Sequence, residues 1–185
     1  MKSNAYRRSS RARRGISMVE LMIATLAVMV ALSAFLRSIV GSLHLARNNR
    51  NTAIAAEATR AMIEDIRRQD PAQVFALYNG DAADDPVGGA PGRHFAVDGL
   101  RPTDGDADGF VGEILFPTPT PDSGQLSENP GTDFPNMPRD MNLDGDSADA
   151  DVSANYLLIP IVIRLQWEGA QGDMTYEVST LVGAR

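Results

Sequence analysis

The chain has 185 residues, no cysteine, and 17 basic against 24 acidic side chains, a net charge of −7. That length holds one modest globular domain with attached segments. The missing cysteines exclude disulfide staples and thiolate chemistry, and the acidity excludes nucleic acid as a partner, since phosphates recruit Lys and Arg.

Charge is unevenly placed along the chain. Lys2, Arg7, Arg8, Arg11, Arg13 and Arg14 precede Gly15 with no acid among them, so the remainder, with 17 less 6 basic residues against 24 acids, stands at −13. From Leu21 to Leu36 no residue is charged, and extension back to Ile16 adds only Glu20. At about 1.5 Å per residue the run approaches the ~30 Å hydrocarbon core, which predicts one membrane span. The basic residues then keep 1–15 cytoplasmic, and everything beyond the span is exported.

Glu20 is the anomaly in this segment. A carboxylate at mid-bilayer costs about 2.5–3.5 kcal/mol on insertion scales and calls for a partner. Ile16 lies four residues before it, on the same face if the helix begins there. A cut between Gly15 and Ile16 would create an ammonium beside this carboxylate or a neighbour's. A helix N-terminus also favours negative charge in its first turn.

The basic leader, Gly15, Ile16, then Ser17-Met18-Val19-Glu20-Leu21 and an apolar helix resemble the class III signal of type IV pilins and type II secretion pseudopilins. The resemblance implies that prepilin peptidase cuts after Gly15 and methylates Ile16. It also implies that Glu20 pairs with a neighbouring subunit's terminus during assembly. The partners are then the peptidase, the inner membrane and other pilin or pseudopilin subunits. The protein would be a single-pass inner-membrane protein before it joins a pilus or pseudopilus. Ile16 stands where major pilins usually have Phe, which leans toward a minor subunit.

All 11 prolines fall at or after Pro71, and Gly41 is the sole glycine between Ile16 and Asp70. Nothing therefore breaks a helix of roughly 80 Å up to about Arg68. Residues 16–40 form its membrane and assembly half. In residues 41–70, Ile54, Ala58, Met62 and Ile66 make an apolar stripe opposite Glu57, Arg60, Glu64 and Arg68. Asp70 caps a short second helix from Pro71 to Tyr78, closing at Asn79-Gly80. Short strands are expected at His94–Val97 and Phe110–Phe116. Residues 117–153 read as a long Pro- and Asp-rich loop that is functional, metal-ordered or mobile. At the end, Ile161, Ile163, Leu165 and Trp167 alternate with Val162, Arg164, Gln166 and Glu168. Met174, Tyr176 and Val178 repeat the pattern across "AQGD", giving an antiparallel hairpin with Pro160 at an edge or strand start. This hairpin and "AAEATRAMIEDIRR" are similar to the corresponding parts of PilV-like minor pilins. The fold expected is α+β and pilin-like: a long N-terminal helix on a small antiparallel head spanning 71–185.

Two Asp runs carry candidate chemistry. "DMNLDGDSADAD" fits the calcium-loop pattern D-x-[DN]-x-[DN]-G-x5 followed by an acid. Side chains would come from Asp140, Asn142 and Asp144, a backbone carbonyl from Asp146, and a terminal carboxylate from Asp151. "DGDADGFVGEIL" supplies Asp104, Asp106 and Asp108 but has Leu115 at the last ligand position, so it is half a site. Calcium is the candidate cofactor, and it would order a long loop in a domain without disulfides. Some pseudopilins use calcium in this way, so the resemblance supports it. His44 and His94 without cysteines do not make a zinc site. No G-x-S-x-G elbow is present, and Trp167 reads as core. The expectation is a non-enzymatic structural subunit: a minor pilin active in assembly, priming or adhesion. A minor pseudopilin of type II secretion, or an uncleaved anchored calcium-binding protein, are the alternatives.

Overall fold

The computed structural model describes residues 15–87, 89–120 and 123–183; the basic leader 1–14 lies outside them. The architecture is α+β, with one long helix α1 (Met18–Arg68), a 3-10 turn (Pro71–Gln73), α2 (Val74–Tyr78) and four strands. The strands are β1 (His94–Phe95), β2 (Gly112–Leu115), β3 (Leu158–Gly169) and β4 (Gly172–Gly183), in one antiparallel sheet of order β1-β2-β3-β4. The chain divides into two compact units, Met1–Leu43 and His44–Arg185.

The described part of the first unit is helix from Met18 onward, with its apolar side chains exposed on every side. The helix is long and apolar enough to cross a membrane, and none of its apolar window is buried. Two of its hydroxyls bond back within the helix: Thr25 Oγ1 donates to the Met22 carbonyl at 2.9 Å and Ser33 Oγ to that of Met29 at 2.8 Å. Such back-bonding suits surroundings without water.

In the second unit the helix turns Ala55, Thr59 and Ile66 fully into the core, flanked by Ile54, Ala58, Met62 and Ile63. The expected stripe of Ile54, Ala58, Met62 and Ile66 thus meets the core, widened by Ala55, Thr59 and Ile63 beside it. Glu57, Arg60, Glu64 and Arg68 face outward as expected. Asp70 Oδ1 accepts the Ala72 N–H at 3.1 Å, and α2 ends at Asn79, whose N–H returns to the Phe75 carbonyl.

The first two strands are shorter than expected, for local reasons. Asp108 Oδ1 captures the Phe110 N–H at 2.8 Å, so β2 cannot start until after that turn. β1 stops at Phe95, which pairs with Gly112. A Cβ at position 112 would lie 2.3 Å from the Phe95 ring, so any larger residue there would push the ring aside. Phe116 leaves the sheet to meet Phe75 edge-on, with centroids 5.2 Å apart. In β3 the expected alternation holds from Leu165 on, but Val162 is buried as well as Ile161 and Ile163, so the strand's first half is covered on both faces. Pro160 lies before the register with β2 begins at Val162, where a missing N–H breaks no rung of that ladder.

Among the described residues, 117–153 contain no helix or strand, yet they are packed. Leu126, Met141 and Val152 are at most 1 % exposed. The Val152 N–H donates to the Leu126 carbonyl, and both Leu157 and Leu158 N–H groups to that of Met141. Tyr156 then fastens the segment to the helical layer, with its hydroxyl accepting from the Phe75 N–H and donating to the Pro71 carbonyl.

Candidate metal centre

Asp residues spaced by two suit a backbone that coils tightly, because each carboxylate can accept the N–H two residues on. The 140–151 segment repeats that device. Asn142 Oδ1 accepts from the Asp144 N–H, Asp144 Oδ1 from Asp146, and Asp146 Oδ1 from Ala148, at 3.1, 3.1 and 2.9 Å. Asp140 spans the turn, with Oδ1 on the Leu143 N–H and Oδ2 on the Gly145 N–H at 3.0 Å. Leu143 and Gly145 both take positive φ, 62° and 106°.

The carboxylate at the centre of this coil comes from outside the motif. Glu128 is fully buried, with Oε1 accepting from the Met141 and Asn142 N–H groups and Oε2 from that of Asp149. One ligand oxygen each from Glu128, Asp146 and Asp149 lie within 4.8 Å of one another. Among the described residues no other three carboxylates or imidazoles converge in this way. Three carboxylates so close repel one another unless a proton or cation intervenes, and the group can hold a metal ion. Asn142 Nδ2 bridges Asp144 and Asp149 at 3.2 and 2.9 Å, fixing Asp149 in place.

The sequence-expected residues are distributed differently from the expectation. Asp146 contributes its side chain to the group, where only its carbonyl was expected. Asp140, Asn142 and Asp144 shape the backbone around the group. Asp151, expected as the terminal ligand, points elsewhere: its Oδ1 accepts from the Ser153 and Leu126 N–H groups at 3.0 and 3.3 Å. Burial acts to raise its pKa, but those hydrogen bonds and the Ser153 side chain bring it below the usual carboxylate value. Glu128 was not anticipated, and Asp149 was expected only as one more acid of the run that a cation would bridge, without a ligand position of its own. Glu128 is the sole glutamate of 117–153, but only the fold brings it onto the Asp run, against residues 13 to 21 positions later in the chain.

In the shorter run the three aspartates do not converge on one point. Asp106 Oδ1 accepts the Asp108 N–H, and Asp108 Oδ2 pairs with His94 Nδ1 at 2.8 Å. The Phe110 N–H, aided by the neighbouring His94, Asp106 and Arg93, holds the Asp108 carboxyl below its ordinary value.

At the N-terminal end, Gly15 and Ile16 precede the helix and are exposed, Ile16 by 75 %. The Leu21 N–H donates to the Ser17 carbonyl, so Ser17 occupies the cap position and Glu20 lies in the first turn. Ile16 therefore lies before the helix and does not share a helical face with Glu20. The first turn's free N–H groups still favour that carboxylate. No protein-family profile, curated protein or solved structure matches the chain significantly.

Proposed function

We propose that this protein is a minor pilin-like structural subunit. Prepilin peptidase cleaves it after Gly15 and methylates it at Ile16, and it enters a type IV pilus through α1. The observation that carries this reading is the start of the chain's helix. An exposed Gly15-Ile16 precedes a helix with one carboxylate, Glu20, in its first turn, followed by uncharged apolar residues through Leu36. An ammonium on Ile16 of a neighbouring subunit would neutralise Glu20 as the helices pack in an apolar environment, where an unpaired charge is costly. The head's acidic loop binds calcium. An all-oxygen set built from Glu128, Asp146 and Asp149 suits a hard cation, and the chain has no cysteine to favour a softer one.

The deciding experiment is the mass of the N-terminal peptide of the protein purified from its native membranes. A peptide beginning at Ile16 with one added methyl is expected. An intact Met1 leader in cells with active peptidase would replace this reading with that of an anchored, unassembled exported protein.

A further inference from the structure

The last strand of the sheet leaves one edge unpaired among the described residues. β4 pairs with β3 over twelve residues in an unbroken register, and among the described residues no strand pairs with its other side. The register tells which backbone groups face outward. The Gln166 N–H donates to the Val111 carbonyl at 2.8 Å, on the β2 side of β3. Backbone groups alternate along a strand, so Ile161, Ile163, Leu165 and Trp167 turn theirs toward β4. Their partners Thr180, Val178, Tyr176 and Met174 bond inward. The N–H and C=O groups of Asp173, Thr175, Glu177, Ser179 and Leu181 then point away from the sheet.

Natural sheets usually blunt such an edge with charged side chains, above all Lys, with Pro or with a bulge. β4 has no Lys, Pro or bulge, and the charges it does carry, Asp173 and Glu177, are both acids. Its charge instead favours a particular visitor. Glu168 and Asp173 stand directly opposite each other at the hairpin tip, a like-charge pair with no ion-pair partner among the described residues. Glu177 is already engaged by Arg164. The strand contains two acids and no base, so pairing with a second copy of itself would add acid to acid.

We propose that the outer edge of β4 accepts an extended strand from a different polypeptide, one carrying Lys or Arg where it passes Glu168 and Asp173. The open backbone groups supply a ladder, and the tip's uncompensated acids set the register and select a basic partner. This surface stands apart from the filament reading and needs neither cleavage nor calcium.

The test uses the full-length protein in its native membranes, with a photo-cross-linking phenylalanine at Ser179 and a control probe at Glu57 on the exposed face of α1. The Ser179 probe is expected to give an adduct with another polypeptide whose contact peptide is extended and contains Lys or Arg. Thr175→Pro removes an outward N–H that the β3 ladder does not use, and should cut the adduct about tenfold at unchanged protein level. Should that variant fail to fold, the pair Glu168→Lys and Asp173→Lys, which leaves the backbone intact, should cut it likewise. The proposal is overturned by the absence of a Ser179 adduct, by an adduct joining two copies of this chain, or by an adduct that both sets of substitutions leave unchanged.

Discussion

Thr59 is 2 % exposed on the core side of α1, and its Oγ1 has no hydrogen-bond partner among the described residues. A buried hydroxyl without a partner costs free energy that an isosteric methyl does not. Thr59→Val should therefore raise stability by about 1 kcal/mol, read as an upward shift in the unfolding transition of the detergent-solubilised chain. A loss of stability would mean that the hydroxyl is satisfied by a bridging water. Tyr78 makes the opposite case. Burial, then its hydrogen bond to Asp65 Oδ2 at 3.1 Å, pushes its pKa up to about 12. A folded-state pKa above the ordinary 10 means that the neutral phenol's contribution is complete below pH 10 and lost as pH rises toward 12. Stability should fall across that interval, and Tyr78→Phe should remove that part of the decline. An unchanged alkaline profile in the variant would show that another group causes it.

At the scale of elements, the 117–153 segment substitutes a buried carboxylate for secondary structure. Glu128 gathers three N–H groups that belong to no ladder, so its charge is satisfied by the backbone it organises. Calcium bound by Glu128, Asp146 and Asp149 would stabilise the folded head by about 2.7 kcal/mol at a free concentration roughly 100 times Kd. We expect calcium to raise the melting temperature of the full-length protein and chelation to reverse this. Glu128→Gln should abolish most of the increment and also lower the metal-free melting temperature, because an amide nitrogen cannot accept from a backbone N–H. An identical calcium response in wild type and variant would remove Glu128 from the site.

At the scale of the whole molecule, α1 belongs to two environments. Its first part exposes apolar side chains all round, and its second buries a narrow stripe in the head. The filament reading predicts that Glu20→Ala leaves export and membrane insertion intact, since it removes a charge from an apolar segment. Incorporation into sheared filaments should fall by an order of magnitude or more, as expected when a charge pair loses one member in an apolar interface. Equal abundance of variant and wild type in sheared filaments would exclude the Glu20 pairing.

Much of the fold was legible because its signals are local. An uninterrupted stretch without Pro, a capping Asp70 before Pro71, and period-two alternation across a Gly-containing turn each act within a few residues, and the helices and the β3–β4 hairpin follow from them. The ends of β1 and β2 were not legible. They depend on the Asp108 carboxylate capturing the Phe110 N–H and on Phe95 lying over Gly112, contacts of side chain with backbone that periodicity does not register. The burial of Val162 was not legible either, because alternation along one strand does not say whether its second face is covered.

The sequence by itself determined that the N-terminal segment is one long apolar helix, because the uncharged run from Leu21 to Leu36 and the lack of proline before Pro71 act locally and owe nothing to distant residues. It also determined that the 140–151 stretch coils, since Asx spacing acts over two residues. Only the tertiary structure decided which carboxylates meet: it brought Glu128 to Asp146 and Asp149 and turned Asp151 toward Leu126 and Ser153. Convergence of charges in space depends on how a chain without regular secondary structure packs around Leu126, Met141 and Val152, and spacing along the sequence carries no record of that packing.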